Sequence, residues 1–113
     1  MKIIYVSGPY RADTENEVFE NIIRARSAPY KLWHEGWAVI CPHTNTMFMG
    51  SMLSGEDSIM FIEGDLEIVK RCDAIYMLKG WEKSEGAEME LDVASERGLD
   101  VYYEEDQWEH LKM

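Results

Sequence analysis

The residues best suited to chemistry lie in Gly-Trp-Glu-Lys-Ser-Glu-Gly-Ala-Glu-Met-Glu, positions 80–90. This segment follows an apolar run and opens a helical pattern. The unpaired N–H groups and partial positive charge of a helix N-terminus therefore fall on it. Ser84 and Gly86 stand where a phosphate or a sugar hydroxyl is cradled, and at Gly86 the missing Cβ lets a ligand approach the backbone. Three carboxylates are near. Glu90 is four residues after Gly86 and shares its row on the helix. Glu88 points about 200° away around the axis. Glu85 and Glu88 read as solvated anions that favour the first turns of a helix. Glu90 is the candidate ligand-facing carboxylate, with a solvated anion as its competing reading.

A second carboxylate is Asp65, in Glu63-Gly64-Asp65-Leu66-Glu67. A helix that precedes a parallel strand starts near the carboxyl edge of the sheet. An aspartate near that start points to the same crevice, or else is a plain N-cap. Two carboxylates converging on a crevice suit glycosidic chemistry: one attacks the anomeric carbon and the other handles the proton of the leaving group. The loop Ser7-Gly8-Pro9-Tyr10-Arg11 is the third element. Ser7 and Gly8 offer hydroxyl and backbone donors, and Arg11 is a fixed cation suited to phosphate. The competing reading there is a tight turn with a surface arginine.

These residues need a scaffold, and the chain supplies one of a recognisable kind. Apolar runs at 2–6, 37–41, 73–78 and 100–103 read as strands, the first three as buried ones. Helical patterns occupy 13–35, 58–71 and 86–97. The first is capped by Asp13 or Thr14, striped by Val18, Ile22, Ala25, Leu32 and Trp33, kinked or interrupted at Pro29, and ended by Gly36. Gly64 is a weak point in the second. Residues 43–57 read as a long loop, and Glu104–Met113 as a last helical turn or two with Glu104, Glu105 and Asp106 solvated. Strands alternating with helices predict an α/β fold: a doubly wound parallel sheet of four to five strands in a flavodoxin-like three-layer sandwich. Strand one is central, with strand two on one side and strand three on the other. The loops after strands one and three then flank the switch point where ligands bind.

Composition bounds the function. At 113 residues the chain is one domain, 1–113. Its net charge of −11 argues against a nucleic-acid polymer as partner, while a small phosphate held by local donors stays compatible. No apolar run reaches membrane-spanning length, and MKIIYVSGPY is too short in apolar residues for a signal-peptide core. Two cysteines, Cys41 and Cys72, fit reduced thiols, so the expected location is cytoplasmic. Cys41, His43 and Cys72 lack the paired short spacings of a zinc site and read as buried thiols beside a histidine. His43 contacts base or phosphate, or it braces a loop. Met47, Phe48, Met49, Met52 and Leu53 line a pocket, or else pack in the core or a subunit interface. Trp81 stacks on a base or covers the sheet edge.

The ordered set Tyr5, Gly8, Asp65, Cys72-Asp73 and Gly86-Ala-Glu-Met-Glu90 resembles the nucleoside 2-deoxyribosyltransferase superfamily, especially its small bacterial and phage members, from Tyr5 through Ala94. The resemblance implies that Glu90 is the nucleophile at C1 of the deoxyribose. It also implies that Asp65 assists protonation of the departing base and that Tyr5 positions the nucleophile or the sugar. Transferases of the family carry an Asp six residues before the nucleophile. Ser84 stands there, as in the related deoxynucleoside 5′-monophosphate N-glycosidases, which use a serine and a loop arginine to hold phosphate. Arg11 stands where that arginine falls, and Pro9 where those hydrolases have a further serine. Such chemistry needs no metal or cofactor, and by analogy the chain is a homodimer or higher homo-oligomer. The expected function is cleavage or transfer at the N-glycosidic bond of a 2′-deoxynucleotide or 2′-deoxynucleoside. The alternatives are a non-catalytic protein that sequesters a nucleotide in the same crevice, and a flavodoxin-like interaction domain.

Overall fold

The structure is a computed structural model that describes residues 1–9, 16, 27–42 and 55–104, with side chains in the last segment described from residue 59. Four strands form one all-parallel sheet in the order β2-β1-β3-β4: β1 (Ile3–Ser7), β2 (Ala38–Ile40), β3 (Ala74–Met77) and β4 (Asp100–Tyr103). Tyr5 of central β1 lies opposite Ile40 on one side and Ile75 on the other. The expected strand order is the one found.

Side chains alternate across the sheet, as strand geometry requires. Ile4, Val6, Ala74, Tyr76 and Leu78 form one core layer with Ala28 and Leu32 of helix α1, described over residues 27–34. Tyr5, Ile75 and Met77 face the other way. They meet Val69 of α2 (Gly55–Lys70) and Ala87 and Ala94 of α3 (Glu85–Glu96). Three layers result, with one apolar core on each face of the sheet. Full burial of a side chain such as Leu32 contributes about 2 kcal/mol.

Several details differ from expectation. Residue 16 and residues 27–34 are helical, and the helix is not interrupted at Pro29. Trp33, expected in the apolar stripe, is exposed, because Ala28 and Leu32 at i and i+4 already define the buried face. Asp13, Thr14, Val18, Ile22 and Ala25 lie outside the described residues. The second helix starts at Gly55 rather than 58, and it carries Gly64 in its interior. Glu104 is no solvated tail residue. Its carboxylate accepts the Lys79 N–H at 2.7 Å, and its own N–H donates to Met77 O. Gly36 and Gly98 close α1 and α3 with φ of +97° and +75°, which residues with a Cβ adopt only with strain.

At the amino edge of the sheet Asp73 ties the central strands together. Its carboxylate accepts the Ile3 N–H at 2.8 Å, its own N–H donates to Ile3 O, and its carbonyl accepts from Asp100. Asp73→Ala removes the side-chain acceptor, and the expected loss is about 1 kcal/mol in a urea melt. Asp73→Asn, which keeps an acceptor oxygen, loses less.

Candidate active site

The site is built on the odd-numbered face of β1. Tyr5 and Ser7, two residues apart, point to the same side of the sheet. Glu90 comes down on them from α3. Its carboxylate accepts one hydrogen bond from the Tyr5 hydroxyl at Oε2 and another from Ser7 Oγ at Oε1, the latter at 2.5 Å. Tyr5 and Ser7 are fully buried and Glu90 is 9% exposed. Glu85 and Glu88 of the same helix are exposed, in line with the row-by-row geometry.

The electrostatics follow from this burial. Loss of water pushes the Glu90 carboxyl up to about 7 against the two hydroxyl donors, which favour its ionised form, and the nearby charge of Asp65 adds to the rise. Burial also raises Asp65, to about 6. Tyr5 is raised by burial first and then by the charges of Glu90 and Asp65, so it stays a protonated donor. The influence of Asp65 on both Glu90 and Tyr5 puts the three groups in one electrostatic neighbourhood.

Asp65 reaches that neighbourhood differently from expectation. It sits inside the 16-residue α2, half-buried, and it is not an N-cap. Ser7, expected as a loop donor for a ligand, is the last residue of β1, and its single proton is given to Glu90. Gly8 is buried beneath Leu78, where a Cβ would stand 2.6 Å from Leu78 Cβ, so close packing explains the glycine. Ser84 is the N-cap of α3 and accepts the Ala87 N–H at 3.2 Å. Around Gly86 there is open space, the nearest neighbour of an added Cβ being Ser84 Oγ at 3.9 Å. Trp81 packs against Tyr103 with ring centroids 5.9 Å apart, covering the β3–β4 side of the sheet. Arg11, His43 and the Met-rich segment 47–53 lie outside the described residues.

Cys41 and Cys72 belong to core layers on opposite sides of the sheet and are not joined in a disulfide. Burial, with the Asp73 charge, pushes the Cys72 thiol up to about 11. Among the described residues no group of three or more His, Cys, Asp or Glu could hold a metal ion. No helix among them is long and apolar enough to cross a membrane.

A carboxyl raised by folding holds its proton over a range where the unfolded chain has lost it. Folding stability therefore falls as pH rises from about 4.5 to about 7 and stays low above that. Glu90→Gln removes the charge while keeping the shape. The variant should match the parent near pH 4 and exceed it at pH 8 by on the order of 2 kcal/mol in parallel urea melts. An equal difference at both pH values would mean that Glu90 does not carry a buried charge.

No curated protein matches the chain at a significant level. Among solved structures it is similar to a 2-deoxyribosyltransferase from the psychrotolerant bacterium Bacillus psychrosaccharolyticus. That match has a TM-score of 0.64 at 20% identity and covers 98% of this chain and 96% of that one. It is also similar to the CMP N-glycosidase BcmB of Clostridium botulinum, with a TM-score of 0.53 at 17% identity, over 95% of this chain and 74% of that one. Both are likenesses of fold, and the doubly wound parallel α/β architecture expected from the residues is the one observed. A family model spans residues 2–103, a stretch that includes all four strands together with Tyr5, Ser7, Asp65 and Glu90, and the chain belongs to that family, described as Domain of unknown function (DUF4406).

Proposed function

We propose that the protein breaks the N-glycosidic bond of a 2′-deoxynucleotide or 2′-deoxynucleoside through a covalent glutamyl-deoxyribose intermediate. One observation carries this reading. Buried Glu90 takes its described hydrogen bonds from two neutral hydroxyls, and among the described residues the charge acting on it is that of another carboxylate. Such a pairing lowers stability. It is complementary to a positive, oxocarbenium-like sugar carbon arriving between the two acids. The likeness in fold to proteins named as a deoxyribosyltransferase and an N-glycosidase supports the same bond as the target.

In the proposed reaction a Glu90 oxygen bonds to C1 of the sugar while the C1–N bond breaks. The electron pair leaves with the base, which takes a proton from Asp65. A water then bonds to C1, Glu90 departs as carboxylate, and Asp65 takes the proton of that water. If a second base arrives in place of water, the same steps give transfer. Tyr5 orients Glu90, Gly86 and the Ser84 hydroxyl receive the substrate at the start of α3, and Arg11 and His43 contact phosphate or base. Arg11 and Ser84 favour a 5′-monophosphate over a free nucleoside. The partner is a small molecule, the working form a homodimer or larger homo-oligomer, and no metal or cofactor takes part.

Chromatography of the base released from each deoxynucleoside and its 5′-monophosphate tests this. Glu90→Ala should reduce release by on the order of 1,000-fold or more, and Asp65→Asn by about 100-fold. Unaltered release by Glu90→Ala would sink the mechanism. Tight binding of the same nucleotides without release would point to a sequestering protein.

The pH profile gives a separate test. The active pair holds one proton; that proton rests mainly on Glu90, and the reacting form is the minor one with Glu90 ionised and Asp65 protonated. Release should rise and fall as a bell with its maximum between about pH 6 and about pH 7. A rate that climbs steadily to pH 9 would remove Asp65 from the role of acid.

A further inference from the structure

We infer that Ser7 is a positioning residue that, together with Tyr5, fixes the plane of the Glu90 carboxylate and so sets its aim at the sugar carbon. This rests on the glycosidic reading above and goes beyond it, because it assigns the work of aiming the nucleophile to two side chains.

The chemistry of position 7 points this way. Residues 3–6 of β1 are apolar apart from the Tyr5 hydroxyl, and Ser7 is 0% exposed. A hydroxyl buried there costs stability unless it is bonded, and an alanine would carry no such cost. The hydroxyl is bonded to one atom of interest, Glu90 Oε1, at 2.5 Å. A serine has a single proton to donate, so this donor is committed to Glu90 and not to a ligand.

The backbone under that hydroxyl is held from both sides of the bond. Ser7 O accepts the Leu78 N–H at 2.7 Å, and Ser7 stands opposite Met77 in the sheet register. The next residue, Gly8, lies so close to Leu78 that a side chain would not fit. The remaining freedom is the serine rotamer, and the bond to Glu90 fixes it.

With Tyr5 alone, the carboxylate could turn about its last carbon–carbon bond while keeping one hydrogen bond. Donors on both oxygens stop that rotation, since Tyr5 holds Oε2 and Ser7 holds Oε1. A misplacement of about 1 Å in a reacting group can cost on the order of 100-fold in rate. Among the described residues, the groups acting on Glu90 are Tyr5 and Ser7 from β1 and Asp65 from α2, with Cys41 acting in turn on Tyr5. Of the two that favour its ionised form, Ser7 has the larger influence.

The test uses Ser7→Ala and the conservative Ser7→Cys, which keeps the shape and a weaker donor. The Glu90 carboxyl is titrated by carbon NMR in glutamate-labelled full-length protein, and base release is timed in parallel. In Ser7→Ala the NMR midpoint of Glu90 should rise by about one pH unit, and the alkaline limb of the rate profile should move up with it. Its kcat should fall by about 10- to 100-fold with KM within about twofold, and Ser7→Cys should recover part of both effects. A folded Ser7→Ala with an unmoved Glu90 midpoint, or with a changed KM and an unchanged kcat, overturns the inference. If the parent protein releases no base, the glycosidic reading fails, and the NMR midpoint alone still decides whether Ser7 governs Glu90.

Discussion

The site depends on one buried carboxyl group. Glu90 is pressed out of water by the packing of α3 on the sheet, and it is compensated by the hydroxyls of Tyr5 and Ser7 rather than by a cation among its described bonds. Each hydroxyl offers a neutral dipole, which steadies the charge without cancelling it. The carboxyl therefore sits near neutrality in its titration, poised to exist in either form. Asp65 alongside increases the tension. Strain of this electrostatic kind is common where a protein must meet a transient positive charge.

The central strand makes this possible by dividing its labour between two faces. Ile4 and Val6 serve the layer with α1 and are purely apolar. Tyr5 and Ser7 serve the layer with α2 and α3, presenting two hydroxyls in the middle of an otherwise apolar surface. The tyrosine ring still packs as core, so only its far end is polar. A parallel sheet buried on both sides has few places for polar groups. Central β1 is one of them because α3 brings a carboxylate to the same spot.

Much of the scaffold was legible in the amino-acid order, because period and punctuation are local. The four apolar runs, the glycines after α1 and α3 and the alternation of strand and helix are written in neighbouring residues, and the strand order follows from topology rules. The distinction of Glu90 from Glu85 and Glu88 was legible too, since it needs only helical rotation from Gly86. Ser7 was harder. Its place two residues after Tyr5 signals a shared face, but the Ser-Gly-Pro sequence looks like a loop, and the strand runs one residue further than its apolar content suggests. Asp65 was misjudged in position because the helix starts before its apolar period becomes clear. Ser84 was read as a ligand cradle alone, and the geometry adds that it caps α3; of the two readings of Trp81, the geometry shows the packed sheet edge.

The bond between the Tyr5 hydroxyl and Glu90 joins positions 85 residues apart. No fragment of the chain can make it early, since closing so long a loop is entropically expensive until the intervening strands have paired. While α3 is still undocked, its glutamate is hydrated and comfortable. That side chain loses its water only when α3 docks on the face of β1 that carries Tyr5 and Ser7. The least favourable burial in the site thus hangs on a contact that spans most of the chain, and whatever loosens the docking of α3 returns the glutamate to water.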